Sequence, residues 1–147
     1  MKINKRGQLE ISFGMIFSII LIIVFISFGI YGVTKLINLQ NEAMINKALN
    51  DLQEDVNNIW KNQIYSSENY SYSFPSNVDK VCFKDEREGN LFLYSKKSNI
   101  ELKSKRIENI NLLRMLNGQG EKCFLRDKGK FVFTIEKKEG DNLVTIS

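Results

Sequence analysis

Residues 11–34 read ISFGMIFSIILIIVFISFGIYGVT, a run without one charged side chain, closed by Glu10 on one side and Lys35 on the other. As an α-helix it would extend for about 36 Å, enough to cross a hydrocarbon core of about 30 Å with some tilt. A secretory signal that is cut away has an apolar stretch of about 7–15 residues and a small-residue cleavage site. This run is longer, and the first alanine of the chain is Ala43. The sequence therefore predicts a transmembrane helix that stays in the mature chain, with the lipid bilayer as its partner.

Outward from that run, the charges are uneven. Lys2, Lys5 and Arg6 crowd the N-terminal side, whereas Lys35 is followed by a mixture of Glu42, Lys47, Asp51, Glu54 and Asp55. Positive charge beside a span tends to remain cytoplasmic. The expectation is a single-pass protein of the cell membrane, N-terminus in the cytoplasm and C-terminal domain outside. Residues 1–10 are read as a basic cytoplasmic leader, 11–34 as the transmembrane helix, 35–65 as an amphipathic extension and 66–147 as an extracytoplasmic β-rich domain.

The helical pattern continues past the membrane. Ile45, Leu49, Leu52, Val56 and Ile59 are spaced four, three, four and three apart, a narrow apolar seam between polar faces. One helix is predicted from about Leu9 to about Tyr65. Its seam must either pack on the chain's own sheet or join a neighbouring subunit as a coiled coil. YSSENYSYSFPSN (65–77) then reads as a loop, holding the only proline, Pro75. Within it Asn69-Tyr70-Ser71 fits the N-glycosylation acceptor pattern, which makes Asn69 a candidate for an external sugar.

Beyond Pro75 the texture is that of strands. KVCFKD (80–85) and LFLYSK (91–96) flank EREGN, where Gly89-Asn90 would supply the positive φ angles of a tight hairpin turn. SNIELKS (98–104) is a third candidate strand. RIENINLLRMLNG (106–118) sets Ile107, Ile110, Leu113 and Leu116 on one helical face, with Gly118 as the stop. In the last segment, 122–147, DKGK and EGDN separate three strands. There Phe131, Phe133 and Ile135 alternate with Val132, Thr134 and Glu136, the period of a sheet with one buried face. The fold class expected is α+β: a long N-terminal helix, transmembrane and then amphipathic, packed on a small antiparallel sheet of five or six strands.

The net charge of +4 does not indicate a nucleic-acid binder. Two of those charges belong to residues 1–10, and the remaining 18 basic and 16 acidic residues are interspersed. Counterion release from phosphates needs cations gathered on one face. The chain has two cysteines, Cys82 and Cys123, and no histidine. In an oxidising compartment the two would form a disulfide closing a loop of roughly forty residues, with a chain-entropy contribution of about 4 kcal/mol; two separate buried thiols are the alternative. Without histidine, and with only two cysteines, a zinc site lacks its ligands. The usual neutral-pH general base is missing too, and no nucleophile elbow or phosphate loop occurs. No catalysis, no metal and no cofactor are expected.

KRGQLEISFGMIFSIILIIVF (5–25) resembles the start of an archaeal type IV pilin or archaellin. In that family a basic leader ends in Gly, Gln follows, and a dedicated prepilin-type peptidase cuts between them before the helices bundle. The resemblance implies processing between Gly7 and Gln8. The family often carries an acid at the fifth mature position; here Ser12 stands there and the acid is Glu10, at the third. Glu10 would lie near the new amino terminus and could pair with one in a neighbouring subunit. The function implied is a non-catalytic, pilin-like subunit of a surface filament or secretion-type assembly. The alternative is an uncleaved bitopic protein whose outer domain binds an envelope partner.

Overall fold

The computed structural model describes residues 13–62, 65–95 and 100–147. The chain divides into two compact units, one reaching to Gln40 and the other running from Asn41 to Ser147. Helix α1 (Phe13–Lys61) supplies all the described residues of the first unit and the opening of the second. Gly7, Gln8 and Glu10 lie outside the described residues, as does the expected helix start near Leu9.

The second unit is an α+β head. After α1 come β1 (Ser66–Tyr72), β2 (Val78–Glu86), β3 (Gly89–Ser95), β4 (Glu101–Lys105), α2 (Leu112–Leu116), β5 (Glu121–Leu125), β6 (Phe131–Lys137) and β7 (Thr145–Ile146). They form two sheets, ordered β1-β6-β7 and β4-β3-β2-β5, with every named strand pair antiparallel. The single sheet expected from sequence is thus split. The division falls at Asp127-Lys128-Gly129-Lys130, where Asp127 and Lys130 exchange both backbone hydrogen bonds at 2.9 Å. Lys128 (φ 45°) and Gly129 (φ 86°) both occupy the left-handed region, as a tight two-residue turn requires. That turn sends β5 into one sheet and β6 into the other.

The seam resolves onto the chain's own sheets. Ile45, Ala48, Leu49, Leu52, Val56 and Ile59 are buried and share one core with Val81, Phe83, Leu91, Leu93, Phe131, Phe133, Ile135 and Ile146. The helix closes at Lys61, earlier than expected. The Lys137 ammonium there donates to the carbonyls of Trp60 and Asn62 at 2.6 and 2.9 Å, a cation on the negative end of the helix dipole.

Three local expectations change. The stretch expected as a loop contains β1, which pairs with β6 through seven consecutive residues from Ser66↔Lys137 to Tyr72↔Phe131. Its polar composition hid it: only Tyr70 and Tyr72 turn toward the core, while Ser67, Asn69 and Ser71 face solvent. The β2–β3 turn is made by Arg87 and Glu88, and Gly89 and Asn90 already belong to β3. Gly89 is required by crowding, since a Cβ there would sit 2.9 Å from the Lys105 carbonyl oxygen. Lastly, the short helix is confined to Leu112–Leu116, capped by Asn111, whose side chain accepts from the Arg114 N–H, and stopped by left-handed Asn117. It buries Met115 and Leu116 and leaves Leu113 87% exposed, so the four-residue face expected there does not form.

Asn90 is a buried polar residue, and both its side-chain nitrogen and its oxygen are paired. Its amide donates to the Ile107 carbonyl and its oxygen accepts from the Ile107 N–H, both at 2.7 Å. This bracket substitutes for a missing ladder where β4 has ended. Replacing Asn90 with alanine leaves a buried donor and acceptor unpaired. The expected loss is about 2 kcal/mol, read as a lower urea midpoint with an unchanged slope.

Candidate functional site

In the first unit the surface itself is the notable feature. Phe13, Phe17, Ile20, Ile23, Phe25, Phe28 and their neighbours through Leu39 are exposed all round the helix, and none of the most apolar window is buried. The helix is long and apolar enough to cross a membrane, and such a surface is compatible with a membrane anchor. Three of its hydroxyls are also provided for. Ser18 donates to the Gly14 carbonyl, Ser27 to Ile23 and Thr34 to Tyr31, at 2.8, 2.8 and 2.9 Å. These three hydroxyl hydrogens stay within the helix, as suits a medium without water.

In the head, Cys82 and Cys123 are joined by a disulfide, with their Cα atoms 4.0 Å apart at directly opposite positions of β2 and β5. The bond lies on the sheet face away from the main core. Its neighbour Phe92 is completely buried there although it is outside the core cluster. The Lys84 ammonium covers the Phe92 ring, 4.1 Å from its centre, and pairs with Glu86 at 2.7 Å. Hydrogen bonds to Glu86 and Tyr94 hold the Lys84 ammonium well above the usual lysine range. Lys80 covers Tyr94 in the same way, at 4.9 Å. The lysine stems and the disulfide therefore close this face with the chain's own atoms. Glu121 approaches the two sulfurs, but sulfurs bonded to each other are not thiolate ligands, so this trio does not form a metal centre.

The two flanks of the head portion of α1 have opposite character. On one flank, next to β1, Tyr72 donates to the Asp55 carboxylate at 2.6 Å and Tyr70 to Glu68 at 2.6 Å. Burial, then these carboxylates, push Tyr70 up to about 12 and Tyr72 further in the same direction. A shallow groove of about 360 Å³ opens there, lined by Met44, Lys47, Asp51, Ser71 and Tyr72 among others. On the other flank, next to β4, Lys103 donates to the Asn46 side-chain oxygen and Lys105 to that of Asn50, the latter at 2.7 Å. Burial, with Lys103 close by, lowers the Lys105 ammonium below its ordinary value.

Asn69, expected on a loop, stands in the middle of β1 on the exposed face, and its side-chain oxygen accepts from the Thr134 hydroxyl at 2.7 Å. The structure brings Cys82 to Cys123 and places Asn69 on a different sheet. Sequence reading missed the Tyr72–Asp55 contact and the Lys103/Lys105 row. The second left a signal: Asn46 and Asn50 are one helical turn apart, and Lys103 and Lys105 share one face of a strand. Neither a family model, nor a curated protein, nor a solved structure matches the chain.

Proposed function

We propose that this chain is a pilin-like subunit, held in the cell membrane by α1 with its basic leader in the cytoplasm and its head outside. Its role is structural rather than catalytic: it assembles with copies of itself or with pilin-like partners into a surface filament or secretion-type assembly. The observation that carries the reading is the surface of Phe13–Val33, which exposes apolar side chains on every side, in the helix that also provides the core seam of a disulfide-bonded head. A prepilin-type peptidase is the partner that the Lys5-Arg6-Gly7-Gln8 leader calls for.

Two measurements on the membrane-extracted protein test this. The chain is expected to resist alkaline carbonate extraction, and protease added to intact cells is expected to remove the head. An alkali-soluble full-length chain would refute the anchor. Mass spectrometry of the mature N-terminus should find Gln8 first, and replacing Gly7 with leucine should leave the leader in place. An intact leader in the native protein counts against the pilin-like assignment and selects the uncleaved bitopic protein.

A further inference from the structure

The head has four edge strands: β7 is two residues long and β5 carries Glu121 beside Lys122, whereas β1 and β4 carry opposite net charges. β1 is one edge of the first sheet and β4 one edge of the second. Open edges are templates for strand pairing, and folded proteins commonly guard them with lysine, proline or a bulge. β1 has none of these: it runs seven residues in unbroken register with β6 and contains neither lysine nor proline. Its only charge is Glu68, and the helix flank beside it adds Asp51 and Asp55 against Lys47. β4 and the next residue carry Lys103, Lys105 and Arg106 against Glu101. Among the described residues, no salt bridge involves Glu68, Asp51, Asp55, Lys103 or Lys105. The lysines meet only neutral amides. One edge therefore carries net negative charge and the other net positive charge, with no ion pair to these carboxylates and lysines among the described residues.

The strand directions agree with the charges. β1 starts where Ser66 pairs with Lys137, whose ammonium sits on the C-terminal end of α1. It ends with Tyr72 on Asp55 and with Ser73 across the groove from Met44. It thus runs against α1. The β4 segment runs with α1, since Lys103 meets Asn46, Lys105 meets Asn50, Glu108 meets Gln53 and Asn109 meets Asn57. In a row of copies that all face the same way, β4 of one is antiparallel to β1 of the next. Two β1 strands could pair antiparallel only in copies facing opposite ways.

We propose that a second copy of this chain docks edge to edge, its β4 adding as a strand to the open side of β1. Lys103 and Lys105, on the α1 side of β4, then come beside Glu68 and the acidic flank of the neighbour, while Ser104 joins the outer row of Ser67, Asn69 and Ser71. Opposite charges across paired strands favour this register and like charges disfavour β4 on β4. The contact is head-to-tail and leaves a fresh edge at each end, so it propagates into a row rather than closing as a dimer. It rests on the assembly proposed above and names the contact within it.

The test uses the full-length chain in liposomes, with Ser104→Cys combined in turn with Ser67→Cys, Asn69→Cys and Ser71→Cys. Mass analysis first verifies that Cys82–Cys123 remains closed, so that only the new thiols react. Mild oxidation is expected to give a ladder of covalent multimers from at least one pair, and none from Ser104→Cys alone. Absence of a ladder from all three pairs, while an amine-reactive cross-linker still captures multimers of the unmodified chain, overturns the edge contact and spares the assembly. Covalent dimers from Asn69→Cys alone, as abundant as from the pairs, would show β1 meeting itself and equally overturn it. Monomers throughout, even with the amine-reactive cross-linker, would remove the assembly and the contact with it. As a second variant, Glu68→Lys should reduce amine-cross-linked multimers roughly fivefold, and an unchanged yield would contradict the proposal.

Discussion

Replacing Cys82 and Cys123 together with alanine is expected to lower the stability of the head by about 4 kcal/mol. The two residues are 41 positions apart, and opening a loop of that size restores its closure entropy to the unfolded chain. Local structure points the same way. β5 is an edge strand that pairs only with β2, and Leu125 at its end is largely exposed. Without the bond, β5 is held by one ladder and by Phe124 against the core. A domain of this size has little stability to spare. Guanidinium unfolding in detergent micelles, followed by the fluorescence of Trp60, the single tryptophan, measures the loss. A change below about 1 kcal/mol would mean that the unfolded chain gains little freedom, contrary to the loop-entropy account.

A loss of similar size, about 4 kcal/mol, is expected for Phe133→Ala. This ring is fully buried and lies where the two sheets face each other. Its centre is 5.6 Å from that of Tyr72 and 6.4 Å from Phe131 in its own sheet. It is 5.0 Å from Phe124 and 6.2 Å from Phe83 in the other. Edge-to-face stacking adds to the apolar area it covers. Val132, one residue away, faces solvent at about half its area, so Val132→Ala should change stability by less than about 0.5 kcal/mol. Equal losses at the two positions would contradict the alternation on which the sheet assignment depends.

Where the sequence could be read, the cause was a strong period over enough residues. The seam Ile45–Ile59 and the alternation of Phe131–Ile135 both show which side is buried, and both are buried as expected. The apolar run announced itself by length alone. The failures share a physical origin in long-range pairing. β1 has the composition of a loop, and it is a strand because β6 offers seven partners from the far end of the chain. Gly89 looked like a turn residue because glycine often is one, whereas here it admits the Lys105 backbone. Ile107, Ile110, Leu113 and Leu116 looked helical, but Ile110 bridges to Val144 instead, so the helix begins later and faces elsewhere. Of the candidate site, Cys82 and Cys123 were legible as a pair. The two oppositely charged flanks were not, because each combines residues from elements far apart in sequence.

The pairing of Tyr70 with Phe133 also sets a timetable for synthesis. At translation rates of roughly 5–20 residues per second, β1 emerges about 3 to 12 seconds before its partner exists. A strand of alternating valines and phenylalanines would spend that interval as a sticky, unsatisfied ribbon beside its nascent siblings. The serines, the asparagine and the glutamate of β1 let it wait in water. Its unpromising composition is thus suited to a segment that leaves the ribosome early and finds its place late.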